Sequence, residues 1–459
     1  MLTRLLSVAG DARLSHFEKL HKDHPLNGRK EKWILRKLLL CMALLLAQSS
    51  LCNALPPGEN WVLPNFAQRL DVTVTNPGSA PVETLVTLPV AGLQNVALGF
   101  PGSLAVAVVK DPPGSKYSVT VIPSQADDLD GDGMADEFEF PISLTPQESI
   151  HVEIYFSNTL HSKIIYPPSV HASHNYGYNF QTATLESRLI GYRTYGSFLL
   201  DIEGRVAGHL GLYNDLNGFL AAHETFAVGK DILHVGDTLG LGGIFLERNR
   251  KIYRPPMNMP DYAHKPSAEN VPHYRVVADG PLRAIIEATL DQWEVGDDVV
   301  AVRARYSIDS SDGFVRCRIR ITPVKMSEGN VYRVGAGIRD LPQEKLRKES
   351  GLLTVSGEQN PQTGRLGLAL YFNPQTASAS LPINTPEGKS EVAIFDKRLS
   401  CGRALEEEYA VAAAWSKSGI PDLLQYLAHM KGRVNARVVV ADVRLEKTPQ
   451  PERVEGEAY

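Results

Sequence analysis

Apolar and polar side chains alternate with a period of two over long stretches of the chain. LDVTVTN at Leu70 to Asn76, LAVAVVK at Leu104 to Lys110, YSVTVIP at Tyr117 to Pro123 and IHVEIYF at Ile150 to Phe156 each give one hydrophobic and one polar face, as a half-buried strand does. Asn76-Pro77-Gly78 and Asp111-Pro112-Pro113-Gly114 lie between these runs and are turn sequences. Short strands broken by tight turns predict a small N-terminal β-sandwich over residues 60–160.

A second β-rich region is expected over residues 161–446. Its strands are SRLIGYRTYG, SFLLDIEG, LGGIFLE, YRVVA, RAIIEATLDQW, VVAVRARYSI, VRCRIRIT, GRLGLALYF, EYAVAAAW and ARVVVADVRL. A region of this size suits a large two-sheet antiparallel sandwich better than a small barrel. One helix is expected at PDLLQYLAHMKGR, Pro421 to Arg433, where Leu423, Leu427 and Met430 make one stripe, with a proline at the start and Gly432 near the end. The fold class is therefore all-β with one C-terminal helix, and the polar stretch 447–459 is expected to be a flexible tail.

The N-terminus follows a different pattern. Arg29, Lys30, Lys32, Arg36 and Lys37 precede the apolar run Leu38 to Ala47, and a small, polar stretch ends at Cys52-Asn53-Ala54. The run is too short to span a bilayer. It reads as a signal peptide covering residues 1–54, which implies a periplasmic or extracellular protein.

The 459-residue chain is 43% hydrophobic, enough to bury a large core in two domains. Residues 55–459 hold 38 Lys and Arg against 48 Asp and Glu, a net charge of −10 that offers nothing to nucleic acid. Beyond residue 54 only Cys317 and Cys401 remain, so disulfides do not organise the fold. In FVRCRIRIT, Cys317 alternates with Val315, Ile319 and Ile321, which reads as a buried thiol; a bridge to Cys401 is the other reading.

The most distinctive stretch is DDLDGDGMADEFEF, Asp127 to Phe140. Asp128, Asp130, Asp132, Asp136 and Glu139 occupy positions 1, 3, 5, 9 and 12 of an EF-hand-type loop, with Gly133 at the sharp turn and Met134 offering its carbonyl. Oxygen ligands converging at this spacing suit Ca2+; the alternative is a solvated acidic turn. The flanks are strand-like, so the expected role of the ion is structural.

IPSQADDLDGDGMADEFEF, LESRLIGYRTYG with DIEGR, GKDILHVGDTLGLGGIFLE and YRVVADGPLRAIIEA follow one another in an order that resembles the bacterial family termed domain of unknown function 4861. The resemblance implies exported, β-rich proteins, similar in outline to galactose-mutarotase-like sandwiches and often encoded beside hydrolases of unsaturated uronyl sugars. It adds the supersandwich form to the expected architecture. The matching positions are Glu186, Arg193, Tyr195, Asp201, Asp231, Gly236, Gly240, Gly242 and Gly243. His234 departs from the pattern, which has lysine there more often.

On chemistry, HETFAVGKDILHVGDTLGLGG, His223 to Gly243, gathers His223, Lys230, Asp231 and His234 before a glycine-rich passage that could let backbone approach a ligand. His223, Asp231 and His234 offer an acid, a base and an orienting carboxylate; alternation in DILHV equally suits a structural strand. Arg193 and Tyr195 share a strand face, where Arg193 suits a uronate carboxylate or an internal ion pair with Glu186. His171, His174, Tyr176 and Tyr178 in SVHASHNYGYNFQ read as a polar, aromatic loop that could stack a sugar, with His174, Tyr176, Tyr178, Glu186 and Lys230 as ligand contacts.

No serine elbow, HExxH or paired CxxC is present. The reading is an exported saccharide-processing protein acting on uronate-containing or unsaturated oligosaccharides by elimination, hydration or isomerisation. The alternatives are a non-catalytic carbohydrate-binding protein and a calcium-stabilised structural component.

Overall fold

The computed structural model describes residues 68–90, 104–110, 118–156, 166–177, 180–195, 198–205, 229–256, 272–310 and 313–447. The expected all-β architecture is present, and every strand pair in it is antiparallel. The four N-terminal runs read from alternation form the strands Gln68–Thr75, Leu104–Lys110, Ser118–Ile122 and Ser149–Phe156.

One layer of the large sandwich is an eight-stranded sheet, in the order His273–Asp279, Arg283–Val295, Asp298–Asp309, Phe314–Lys325, Leu405–Trp415, Leu366–Tyr371, Leu352–Gly357 and Lys345–Glu349. Facing it is a layer made of two sheets. One runs Gly229–Asp231, Asp201–Arg205, Ile190–Tyr195, Phe180–Ser187 and Val170–Gly177; the other is centred on Leu241–Arg248, Val331–Arg339 and Gly388–Ser400. Leu200 and Leu241 exchange both backbone hydrogen bonds, at 2.9 and 3.0 Å, and so join the two sheets edge to edge.

Inward-facing residues of both layers, among them Leu185, Tyr192, Ile202, Ile286, Ala304, Cys317, Val411 and Trp415, form one core. The period-two arithmetic accounts for this. In Phe314–Lys325, Cys317, Ile319 and Ile321 turn inward while Arg316, Arg318 and Arg320 turn out. Cys317 is buried and free, Cys401 is exposed and free, and burial pushes the Cys317 thiol up.

The helix spans Leu423–Val434. Asp422 caps it by accepting from the Gln425 N–H at 2.9 Å, and Leu423, Leu427, Met430 and Val434 are buried against the outer face of the eight-stranded sheet, on Phe314, Ala410, Ala412 and Tyr371. Burying each of those side chains is worth about 1.5–3 kcal/mol. The helix passes through Gly432 and ends at Val434, one residue beyond the expected end, with Asn435 as its C-cap.

The small sandwich packs the sheet of Gln68–Thr75, Ser149–Phe156, Leu104–Lys110 and Ser118–Ile122 with a second sheet of Val82–Pro89, Glu137–Leu144 and Gln125–Asp127. Its first sheet gains an edge strand from the far end of the chain: Val439–Lys447 pairs with Gln68–Thr75, so the sequence ARVVVADVRL completes the N-terminal sandwich rather than the large one. Both sandwiches fall in one unit, Val62–Tyr459.

Candidate functional site

The DIEGR segment shows how the site is built. In the strand Asp201–Arg205, Ile202 and Gly204 face the core while Asp201, Glu203 and Arg205 face away. Gly204 is required because Trp415 presses on it: a Cβ there would lie 2.5 Å from Trp415 Cε3. The neighbouring strands present the same polar face. Arg193 is the cross-strand partner of Asp201, Gly191 lies between Glu186 and Glu203, and Glu203 is paired with Asp231.

This polar face is buried. Glu186, Asp201, Glu203 and Arg205 are each no more than 4% exposed, and the Asp231 side chain, at 22%, is the most open of the four carboxylates. Arg193 Nη2 donates to Asp201 Oδ2 at 2.7 Å and to Asp231 Oδ2 at 3.2 Å, and lies 3.6 Å from Glu203 Oε1. Arg205 pairs with Glu186. The internal partner of Arg193 is therefore the Asp201, Glu203 and Asp231 trio, and Glu186 belongs to Arg205 instead. Register explains the exchange: Glu186 lies opposite Gly191, whereas Asp201 lies directly opposite Arg193.

One guanidinium shared among three carboxylates leaves an excess of acid. Burial pushes Asp201 up to about 7, with Asp231 adding to the shift and Arg193 opposing it. Burial also drives Glu203 well above the usual carboxylate range, against the pull of Arg193. Burial alone would lower Arg193, but Asp201, Glu203 and Asp231 outweigh it and hold its charge. Neither Glu203 oxygen has a hydrogen-bond partner among the described residues. A buried carboxyl that lacks hydrogen-bond donors is biased toward the neutral acid. The three carboxylates also bring one oxygen each within 4.8 Å of one another.

The other expected residues are dispersed. His234 is exposed in the loop after Asp231, its N–H donating to Gln359 Oε1 at 2.8 Å and its carbonyl accepting from Gln359 and Arg339; no described group bonds its ring. Lys230 lies opposite Gly204, so alternation turns it away from the Glu203 and Asp231 face. Of the glycines that follow, Gly240 and Gly242 pack on core side chains, Gly236 lies against Glu387 and Arg339, and Gly243 lines a cavity. Gly242 has a φ of 76° and lies under Val411, and its carbonyl accepts from the Tyr409 hydroxyl at 2.6 Å.

SVHASHNYG is a strand, Val170–Gly177, not a loop. Three residues apart on a strand, His171 and His174 turn to opposite faces, so they cannot form one ring pair; His171 bonds Asp279 at 2.8 Å and His174 shares the side of Ala172. His223, Tyr178 and the side chains of Tyr176 and Tyr195 lie outside the described residues, as does the stretch 448–459 of the expected tail.

The acidic loop is separate from this face. Asp128, Asp130 and Asp136 each bring a carboxylate oxygen within 4.8 Å of the others. Oxygens about 2.4 Å from one cation are at most about 4.8 Å apart, so the set fits a hard ion. Gly131 and Gly133 take φ of 87° and 88°, and their N–H groups donate to Asp128 at 2.6 and 2.8 Å, which holds that carboxyl below its usual range. Asp132 accepts from the Met134 N–H at 2.8 Å, and the Met134 side chain is exposed.

Glu139, expected as the final ligand, is elsewhere. It is fully buried, accepts from the Thr87 hydroxyl at 2.9 Å and pairs with Arg283 Nη1 at 2.5 Å. The position-12 rule assumes that a helix curls back after the loop. Here a strand follows and carries Glu139 away at about 3.3 Å per residue.

Arg283 lies outside the candidate residues that the sequence offers. Its Nη2 also meets Asp127 Oδ2 at 2.6 Å and Glu137 Oε2 at 2.7 Å, so ADGPLR and QADDLDGDG, distant in sequence, close on each other. The available signal was the alternation of Arg283 with the outward residues of its strand.

A polar, buried, acid-rich face on a β-supersandwich, with a small sandwich bearing an acidic loop, defines the class. By sequence, the chain belongs to the family described as Domain of unknown function (DUF4861), whose model matches residues 83–438. No curated protein is similar to it in sequence. Among solved structures it is similar to a glycosyl hydrolase family 38 protein from Enterococcus faecalis (9% identity, 83% of this chain and 48% of that one, TM-score 0.41). It is also similar to an alpha-mannosidase from E. faecalis V583 (9%, 84% and 47%, 0.42) and a galactose 1-epimerase from Lactobacillus acidophilus NCFM (10%, 54% and 99%, 0.25). The chain spans about half the length of the first two. No helix among the described residues is long and apolar enough to cross a membrane.

Proposed function

We propose that the chain is an exported saccharide-processing enzyme acting on uronate-containing or unsaturated oligosaccharides, with its chemistry on the polar face of the five-stranded sheet. The observation that carries this reading is Glu203: a buried carboxyl with no hydrogen-bond partner among the described residues, beside Arg193, Asp201 and Asp231.

Elimination, hydration or isomerisation next to a carboxylate needs one group to donate a proton and another to accept it. Burial keeps Glu203 as the acid form and fits it to donate. Asp231, the most open carboxylate, is placed to accept. Arg193 meets Asp201, Asp231 and Glu203 through Nη2, so its role is to hold Asp201 and Asp231 in position.

Export rests on the basic flank and apolar run of residues 29–47. Calcium is assigned to Asp128, Asp130 and Asp136, with Asp132 and the Met134 carbonyl completing the loop. The ion would supply the positive charge that lets these acids converge.

The test is product analysis by mass and ultraviolet absorbance on a panel of uronate polysaccharides and unsaturated oligosaccharides. Turnover that falls roughly 10²–10⁴-fold in Glu203→Gln, with ligand binding retained, supports the enzyme. Binding without turnover in the unaltered protein supports a carbohydrate-binding module instead.

A further inference from the structure

A cavity of roughly 460 Å3 opens between the small sandwich, the outer face of the eight-stranded sheet and the segment that follows the helix. Its volume falls in the roughly 300–1,000 Å3 range of small-molecule sites. It shares no residue with the Arg193 face. Thr84 to Thr87, Glu137 and Glu139 form one wall, Arg283, Arg305, Ser307 and Arg316 a second, and Ala436 to Val438 a third.

Five guanidinium groups line this space, and three are neutralised. Arg283 meets Asp127, Glu137 and Glu139; Arg305 meets Glu287; Arg318 meets Glu408. Arg316 and Arg437 differ. Each donates through Nη1 to the Val434 carbonyl, at 3.1 and 3.3 Å, and Arg437 also to the Ala436 carbonyl at 2.7 Å. Neither forms a direct ion pair with any described carboxylate; Arg316 lies over the Phe314 ring at 5.0 Å and acts on Asp309 only at longer range. Two like charges drawn to one carbonyl oxygen repel each other unless an anion joins them.

The opposite wall supplies an independent observation. Glu139 is fully buried, its Oε2 has no hydrogen-bond partner, and it lines the cavity. Burial, aided by Asp127 and Asp309 and opposed by Arg283, drives its pKa well above the usual range, while Oε1 takes up Arg283 and the Thr87 hydroxyl and leaves Oε2 to the cavity. Ser307, Thr84 and Thr87 add hydroxyls, and Leu85, Val86, Ile285 and Val438 add apolar surface.

We propose that this cavity binds a small hydroxylated carboxylate, with Arg316 and Arg437 holding the carboxylate and the unpartnered Glu139 Oε2 accepting from a ligand hydroxyl. Planar guanidinium donors match a carboxylate in geometry. Glu137, Asp309 and Glu408 in the same lining oppose a phosphate dianion, so a monoanion fits the charge balance better. The ligand is either a free sugar acid or the terminal acidic residue of an oligosaccharide.

The experiment is calorimetric titration of the full chain with glucuronate, glucose, inorganic phosphate and a disaccharide ending in glucuronate. Saturable binding of glucuronate, free or terminal, is expected, with glucose and phosphate at least tenfold weaker. Preference between the free acid and the disaccharide identifies the source. Arg316→Gln with Arg437→Gln should weaken binding at least tenfold while leaving turnover in the uronate panel unchanged, which separates this site from the sheet-face chemistry. Ser307→Phe, which fills the cavity from another wall, should also abolish binding and covers the case in which the arginine variant fails to fold. Equal binding of glucose or phosphate, no binding of either glucuronate ligand, or unaltered affinity in a folded Arg316→Gln, Arg437→Gln or Ser307→Phe protein would overturn the proposal.

Discussion

Arg283 Nη2 lies 2.6 Å from Asp127 Oδ2, and this contact fastens the small sandwich to the eight-stranded sheet. It is reinforced by Gln125, which donates to Asp127 at 2.6 Å and to the Arg283 carbonyl at 2.8 Å, and which accepts from the Leu282 and Arg283 N–H groups. The acidic loop joins the same junction, since Arg275 and Arg305 donate to the Leu129 carbonyl at 3.2 and 3.1 Å.

Removing Arg283 strands Asp127 and Glu139, both buried, without their cation. Loss of one partner from a buried pair costs about 3–5 kcal/mol. Arg283→Ala should therefore lower the urea midpoint sharply. A midpoint within experimental error of the unaltered protein would mean that the junction does not stabilise the fold.

Asp201 gives a pH signature. Its folded pKa of about 7 lies above the ordinary 3.8, so over that interval the folded state holds the proton that the unfolded state has released. Stability contributed by this group is then greatest at low pH, declines as pH rises from about 4 to about 7, and is level above. Asp201→Asn should flatten that part of the stability curve. The same slope in the variant would place the proton elsewhere in the cluster.

Calcium should bind the folded loop and not the unfolded chain. At a concentration 100 times its Kd it would add about 2.7 kcal/mol. Chelation should lower the melting temperature by several degrees, and Asp130→Ala with Asp132→Ala should remove that sensitivity. Identical melting curves with and without chelator would reject a structural ion.

Gly204 marks the tightest contact behind the site. A side chain at that position meets Trp415 and Ile232, at 2.5 and 2.8 Å for the Cβ alone. Overpacking of this kind costs roughly 1–3 kcal/mol, and Gly204→Val should also shift the tryptophan emission. A variant as stable as the parent would show that the two layers can separate there without cost.

Much of this fold could be read from alternation alone, because strands with one wet and one dry face declare themselves. Leu104–Lys110 and Ser149–Phe156 emerge within a residue of their expected limits. The edge strand Val170–Gly177 did not, because its outward His171 and Ser173 and its terminal glycine imitate a loop. Alternation also placed Arg193 and Asp201 on strands, but not as neighbours. Which carboxylate meets which arginine depends on register, and alternation gives the face of a strand but not its register against its neighbour. Glu139 was misassigned for a related reason: loop spacing was legible, but the strand that leaves the loop redirects the side chain.

The most direct test of the central claim is a comparison of Glu203→Gln with the unaltered protein in the uronate panel, read by product mass and enol-ether absorbance. The account predicts that the unaltered protein changes mass by one water, or gains or loses the enol-ether band, and that the variant binds the same substrate without turning it over. Turnover undiminished in a folded Glu203→Gln protein would contradict it.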